Sequence, residues 1–366
     1  MRATRSVVVG GGIAGLAVAW ALAKRGRDVT LLEAEPALGT HSSARNAQIW
    51  LPVDDDETTG PLALRSAEAL TSLLGAETEW LVRDGALVLA PDAASAETVR
   101  RGAEKGGVKA RTVDFHVVAR ESPVVTERVG VPLWIEGAGI FDPHAMVGAL
   151  AKAAKAHGVK IRPGARAQAV ESDAVRLEGG ERVPYDEVVN AAGAWAGELG
   201  RARGAHVPLV PLRRHLVLLD ADPRAAGTTV WRFGDAQVYW RPESGGVLAS
   251  PCDEAPVTAS LPPADPGALE ALAEALEPVA PSLVDAPVRT KWACLRTYAH
   301  DRELVLGPDP RAPGLSWMAG FGGRGMTVAV AAGELCAKLM DGEDAPIQAL
   351  VRPDRPQPEA LADHTG

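Results

Sequence analysis

The chain of 366 residues is 46% hydrophobic and 23% charged, with 38 basic against 47 acidic side chains and a formal net charge of -9. That is the composition of an ordinary globular protein able to bury a sizeable core, as one large domain or two interleaved ones, and the acidic balance argues against nucleic acid as a partner. Cys252, Cys294 and Cys336 are too few and too scattered for a disulfide framework or a zinc site; with no signal-peptide core and no run of about 18 apolar residues, they point to a reducing cytoplasm and no membrane span.

From the N-terminus, residues 6–9 read as a short buried strand and residues 13–25, "IAGLAVAWALAKR", as a helix. Between them "VVVGGGIAGL" contains G-x-G-x-x-G at Gly10, Gly12 and Gly15. Gly10 permits the tight turn, Gly12 leaves no Cβ in the way of a pyrophosphate, and Gly15 lets helix and strand pack closely. The helix start at Ile13 and Ala14 offers N–H groups and a positive dipole end to phosphate. A second strand, "DVTLLEAE", ends at Glu33 and Ala34, where a carboxylate accepts hydrogen bonds from adenosine ribose hydroxyls. The motif alone does not choose between NAD(P) and FAD. The next segment, "EPALGTHSSARNAQIWLP", does: Ser42, Ser43, Arg45, Asn46, Ala47 and Gln48 make a small, polar, irregular run where an NAD domain would continue into helix and strand. Such a run suits the extended diphosphate and ribityl chain of FAD.

Further along, residues 141–170 read as a helix opening after Pro143, stopped at Gly158 and followed by an edge strand. "EVVNAAG" is an apolar strand ending in Ala191, Ala192 and Gly193, a second close approach of backbone to a cofactor. "GALVLA", "HLVLLD", "AQVYWRP" and "GGVLAS" read as short strands, and "ADPGALEALAEALEPVAP" as a helix bounded by Asp265-Pro266 and Pro278. In "AGFGGRGMTVAVAAGELCAKLM", Gly320, Gly322, Gly323, Arg324 and Gly325 precede a helix starting near Met326 and Thr327. Its N-terminus offers N–H groups and a positive dipole end, a second such place far along the chain from the first. The Pro-rich tail from residue 351 reads as frayed or surface-bound.

Four blocks together resemble the D-amino-acid oxidase superfamily of flavoproteins, in the branch of glycine oxidase, sarcosine oxidase and bacterial D-amino-acid dehydrogenases. They are "VVVGGGIAGL" with "LLEAE", "GTHSSARNAQ", "EVVNAAGAWAGELG", and "KWACLRTYAHDRELVLG" with "WMAGFGGRGM". The resemblance implies an α/β (α+β) fold. A Rossmann-type FAD-binding domain (1–80, 142–205 and 295–366) would interleave with a substrate domain (81–141 and 206–294) built on a mixed β-sheet with flanking helices. It implies FAD as cofactor and oxidation of an amino acid or amine: hydride passes to flavin N5, and the resulting imine hydrolyses to a 2-oxo acid. Oxygen, a quinone or another acceptor would take the electrons.

The same resemblance assigns the substrate carboxylate to Arg296, with softer contacts from Tyr239 and from one of Arg213 and Arg214, which alternation places on opposite faces. A bidentate guanidinium is the natural clamp for a carboxylate that must be oriented. The chain departs from the family at Arg45 and Trp50, where relatives carry His and Tyr near the flavin, and at Arg324. An arginine there favours an acidic substrate, or pairs with the acidic run Asp54-Asp55-Asp56-Glu57, otherwise a solvated loop. Cys294 falls where the sarcosine oxidase branch attaches FAD covalently; a buried cysteine is more often a small hydrophobe, and non-covalent FAD is expected. Lys291 reads as solvated or as a promoter of oxygen reactivity. Alternatives are the FAD-carrying subunit of a multi-component dehydrogenase and a sarcosine-oxidase-like N-demethylating enzyme. A flavin monooxygenase would carry a Gly-Asp motif that "AGFGGRGM" lacks.

Overall fold

The computed structural model describes residues 2–75, 80–126 and 129–362. Strand Arg5–Val9, an unbroken apolar run after its first residues, lies between Asp28–Leu32 and Glu187–Asn190 and is parallel to both. Such runs suit parallel strands covered on both faces. Lys160–Arg162 extends the sheet at one edge, and Leu315–Ala319 and then Val305–Pro308 at the other, the last antiparallel to its neighbour. Helix Ile13–Lys24 is buried over nearly its whole length. It meets helix Gly325–Met340 backbone to backbone, since a Cβ on Gly333 would come 2.7 Å from the Ala17 carbonyl carbon. The sheet order reverses beside Arg5–Val9, with Asp28–Leu32 on one side and Glu187–Asn190 on the other. Open α/β sheets bind ligands at that crevice.

The second sheet has ten strands, antiparallel except where Thr229–Arg232 runs parallel to Leu81–Ala90. Its long pair, Leu209–Leu219 with Val288–Ala299, stays in register from Leu209 opposite Ala299 to Leu218 opposite Thr290. Alternation sorts the side chains into two faces. Val217, Leu219, Val238, Trp240, Val247 and Ala249 belong to a core cluster shared with helices Phe115–Glu121 and Gly267–Leu276. On the other face Leu216, Tyr239, Leu248 and Cys294 pack against Ala47 and Ile49. One face is therefore covered by helices and the other by the polar loop.

The helices read at 13–25, after Pro143 and at 264–281 occur as Ile13–Lys24, Pro143–Ala156 and Gly267–Leu276, and the edge strand after Gly158 is Lys160–Arg162. Two strands cross the expected domain limits: Ile49–Trp50 pairs within the second sheet, and Val288–Ala299 runs through position 295. Helices Thr59–Leu74 and Ala93–Lys105 were not legible. The acidic run hides the first. Asp56 accepts the N–H groups of Thr58 (2.8 Å) and Thr59, while Asp55 pairs with Arg101 and Lys105 and Glu57 with Lys105. The run is thus a junction between two helices and not a solvated loop. The tail is surface-bound: Val351 is fully buried and Arg355 pairs with Asp301 at 2.6 Å.

Candidate active site

Gly10 has φ +111°, and a Cβ there would lie 2.4 Å from the Ala191 carbonyl oxygen; one on Gly15 would lie 1.8 Å from the Gly10 oxygen. Strand, turn and helix are locked together by those two absences. Helix Ile13–Lys24 begins at Gly12, which has no side chain to cap it, and has no acid in its first turn; Ser43 takes the Ile13 N–H, and the rest of its positive end is left to a ligand. Glu33 accepts the N–H groups of Gly11 (2.6 Å) and Glu35 (2.8 Å). The polar loop folds back on this turn: Ser43 Oγ accepts from Ile13 N at 3.0 Å and Ser42 Oγ donates to the Leu295 carbonyl at 2.6 Å. Asn46 donates to the Ser43 carbonyl and accepts from Gln48 N, both at 2.7 Å.

One cavity of about 510 Å³ is lined by Gly10, Gly12, Ile13, Ala14, Glu33 and Ala34, by Ser42, Ser43, Arg45, Asn46, Ala192 and Gly193, and by Cys294, Arg296, Gly322, Gly323, Gly325 and Met326. The wall also includes a second glycine turn and the start of helix Gly325–Met340, again with neither a cap from its own first residue nor an acidic first turn. The two helix starts lie side by side, a Cβ on Gly325 coming 3.8 Å from Ile13 Cγ2, and two positive helix ends opening on one cavity fit a doubly charged cofactor such as FAD. The glycines of the second turn have a further task. A Cβ on Gly322 would lie 2.1 Å from the Tyr298 ring, and one on Gly323 2.5 Å from an Arg296 nitrogen. They make room for side chains of the second sheet.

Arg296 reaches the cavity from the long strand Val288–Ala299. Among the described residues its one hydrogen bond is a long one, 3.5 Å to the Tyr239 hydroxyl, and no carboxylate there lies within ion-pairing distance. Burial lowers its pKa, but Tyr239, Tyr298, Cys294 and Cys252 overcompensate and the net direction is up. The guanidinium stays charged. The neighbouring arginines are engaged elsewhere: Arg213 with Asp265 (2.6 Å), Arg214 with Glu254 (3.0 Å) and Arg241 with Glu243 (2.6 Å). Arg45 donates to the Ala293 carbonyl at 3.1 Å.

Several expected site residues stand back from the cavity. Arg324 turns away to Asp56 (2.8 Å), Thr59 Oγ1 (2.6 Å) and the Arg302 carbonyl (2.6 Å), which settles it as a partner of the acidic run. Around it burial pushes the Asp54 carboxyl up to about 6 against the pull of Arg324, and pushes Glu303 up as well. Arg213 and Arg214 do not line the cavity, nor do Tyr239, Ala47, Gln48 and Thr327. Ala47 and Gln48 are instead held by the buried Arg241, which donates to the Ala47 carbonyl (2.5 Å) and to Gln48 Oε1 (2.9 Å). Trp50 is a core residue stacked edge-on against Trp80. Lys291 alternates with Trp292 and so faces away from Arg296. Missed from the sequence were Arg241, two positions beyond Tyr239 on the same face, the His41–Trp195 ring pair (4.9 Å), and Ser260 to Pro262 on the cavity wall.

Cys294 is buried on that wall, and burial pushes its thiol up despite Arg296, Arg214 and Arg45. A thiol so held is a poor nucleophile. Acid precipitation of the flavin-loaded protein is expected to leave a colourless pellet. Flavin that stays with the pellet, and is released by Cys294→Ser, would instead establish a thioether.

The family model for "FAD dependent oxidoreductase" matches residues 5–339. Glycine oxidase of Geobacillus kaustophilus (strain HTA426) is 26% identical over 354 residues, spanning 92% of this chain and 93% of that one. Among solved structures, L-proline dehydrogenase from P. horikoshii superposes with a TM-score of 0.84 at 24% identity, over 96% of this chain and 97% of that one. The glycine oxidase structure from Geobacillus kaustophilus gives 0.79 at 24% identity, over 99% and 100%. The fold likeness extends over both sheets.

Proposed function

The chain belongs to the FAD dependent oxidoreductase family, and from that membership we propose that it oxidises the C–N bond of an amino acid whose carboxylate is held by Arg296. The observation that carries this reading is a charged arginine on the cavity wall with no carboxylate among the described residues within ion-pairing distance. A desolvated, uncompensated guanidinium is costly, and a substrate carboxylate in fork geometry relieves it. When bound, FAD would supply the electron sink for the α-hydrogen and its electron pair.

The chain's own part is orientation. Arg296 fixes the carboxylate, so the Cα–H bond is presented from one direction, with the Tyr239 hydroxyl behind the guanidinium limiting its swing. The uncapped start of helix Gly325–Met340 opens onto the same end of the cavity and favours negative charge developing there. The neutral amine's lone pair forms the C=N bond, and water then releases a 2-oxo acid and ammonia. Oxygen, a quinone or another acceptor reoxidises the protein. No helix among the described residues is long and apolar enough to cross a membrane, and the three free cysteines support a cytoplasmic site of action.

Mixing the FAD-loaded protein anaerobically with D-, L- and N-methyl amino acids, and with amines of matching shape that lack the carboxylate, tests the reading. Bleaching of the flavin band by an amino acid and not by its decarboxylated counterpart is expected. Equal bleaching by both would overturn the carboxylate clamp.

A further inference from the structure

Three consecutive residues of strand Leu209–Leu219 hold both ends of a loop that reaches the cavity. The loop leaves strand Gly246–Ser250, pairs through Ala255–Pro256 with Leu212 and Arg213, and returns to helix Gly267–Leu276. At the outgoing end, Asp253 accepts the His215 backbone N–H at 2.9 Å and sits 2.7 Å from His215 Nδ1. Arg214 donates to the Asp253 carbonyl at 2.8 Å and to Glu254 at 3.0 Å, and Arg302 holds the other Glu254 oxygen at 2.6 Å. At the returning end the Asp265 backbone N–H donates to His215 Nε2 at 2.8 Å, and Arg213 pairs with the Asp265 carboxylate at 2.6 Å. A backbone N–H can only donate, so Nε2 carries the lone pair and Nδ1 the proton given to Asp253. One buried imidazole therefore spans the two ends of the loop.

Between those ends Ser260, Leu261 and Pro262 line the cofactor cavity, and Leu261 is still 59% exposed. It is an apolar side chain at the mouth, with one side on the cavity and the other in water. Pro256, Pro262 and Pro263 stiffen the span, which lowers the entropy cost of holding it in place. The guanidiniums of Arg213 and Arg214 and the ring of His215 are all engaged at the two ends, which accounts for their standing back from the cavity.

We propose that residues 257–263 are a strap that closes the mouth of the cofactor cavity, with Leu261 covering the bound FAD and Arg213, Arg214 and His215 as positioning residues. This rests on the cavity holding FAD. Coverage of this kind acts on dissociation more than on association. The test is the rate at which FAD leaves the loaded protein, read as free flavin after rapid ultrafiltration, for wild type, Leu261→Ser, Leu261→Met and Asp265→Ala. Leu261→Ser is expected to speed release on the order of tenfold, Leu261→Met to restore the wild-type rate, and Asp265→Ala to speed release by loosening one end of the strap. The melting temperature of FAD-free Leu261→Ser should not move, because that side chain is largely exposed, whereas Asp265→Ala should lower it somewhat through loss of the Arg213 pair and the Gly267 N–H bond. Release from Leu261→Ser within about twofold of wild type would overturn the strap, and an unchanged rate in Asp265→Ala alone would overturn the positioning role. A chain that takes up no FAD would overturn the cofactor site itself, a result distinct from either.

Discussion

Replacing Arg296 with alanine is expected to slow anaerobic flavin reduction at low substrate by roughly 30- to 1,000-fold, about 2–4 kcal/mol of transition-state binding. The same change should not lower the melting temperature of the FAD-free protein. The guanidinium has no ion pair to lose among the described residues, and its removal relieves a desolvated charge. Loss of rate without loss of stability separates a substrate clamp from a structural arginine. Arg296→Lys should recover only part of the rate, because an ammonium keeps the charge and loses the fork. A small shift of the flavin spectrum is expected as well, since an Arg296 nitrogen lies against Gly323. Stopped-flow reduction of wild type and Arg296→Ala with one active amino acid decides it: equal rates with equal concentration dependence would make Arg296 structural. The neighbouring arginines, already paired, are poor replacements for it.

The second large effect is expected at Gly12. Its backbone is extended, φ -73° and ψ -179°, a conformation open to any residue, and a Cβ there would meet only Ser43 Oγ, at 3.3 Å. Gly12→Val should therefore fold, yet fill the space in front of the uncapped helix start where a phosphate would approach. FAD uptake should fall by at least about a hundredfold, with the melting temperature of the FAD-free protein little changed. Titration of that protein with FAD is the measurement. Retained tight binding would place the diphosphate elsewhere. Gly15→Val is the contrasting control. Its Cβ would collide with the Gly10 oxygen at 1.8 Å, so it should damage the fold before any ligand is added.

The strand, glycine turn and helix at the N-terminus were legible because each signal is local and they agree with one another. The second glycine turn was legible as a turn, but not the reason for its glycines. Tyr298 and Arg296 fill that space from a strand whose pairing partner begins at residue 209. Arg213 and Arg214 show the same limit. Their acidic partners, Asp265 and Glu254, lie 52 and 40 residues away, and only the sheet register brings them near. Arg324 was readable as one of two possibilities, and a partner 268 residues away chose between them. Helix Thr59–Leu74 escaped because its capping carboxylate sits in a run of four acids that by itself looks solvated.

The cavity wall draws on residues 9–46, 165–202, 260–262, 294–297 and 318–326. During synthesis the first glycine turn emerges at once, but its neighbour in the wall, the second glycine turn at residues 320–325, is made about 300 residues later. A nascent chain cannot close this cavity around a cofactor until residue 326 and the helix behind it are free. Loading therefore waits until both glycine turns and the helices behind them have come together, and until then the chain is flavin-free.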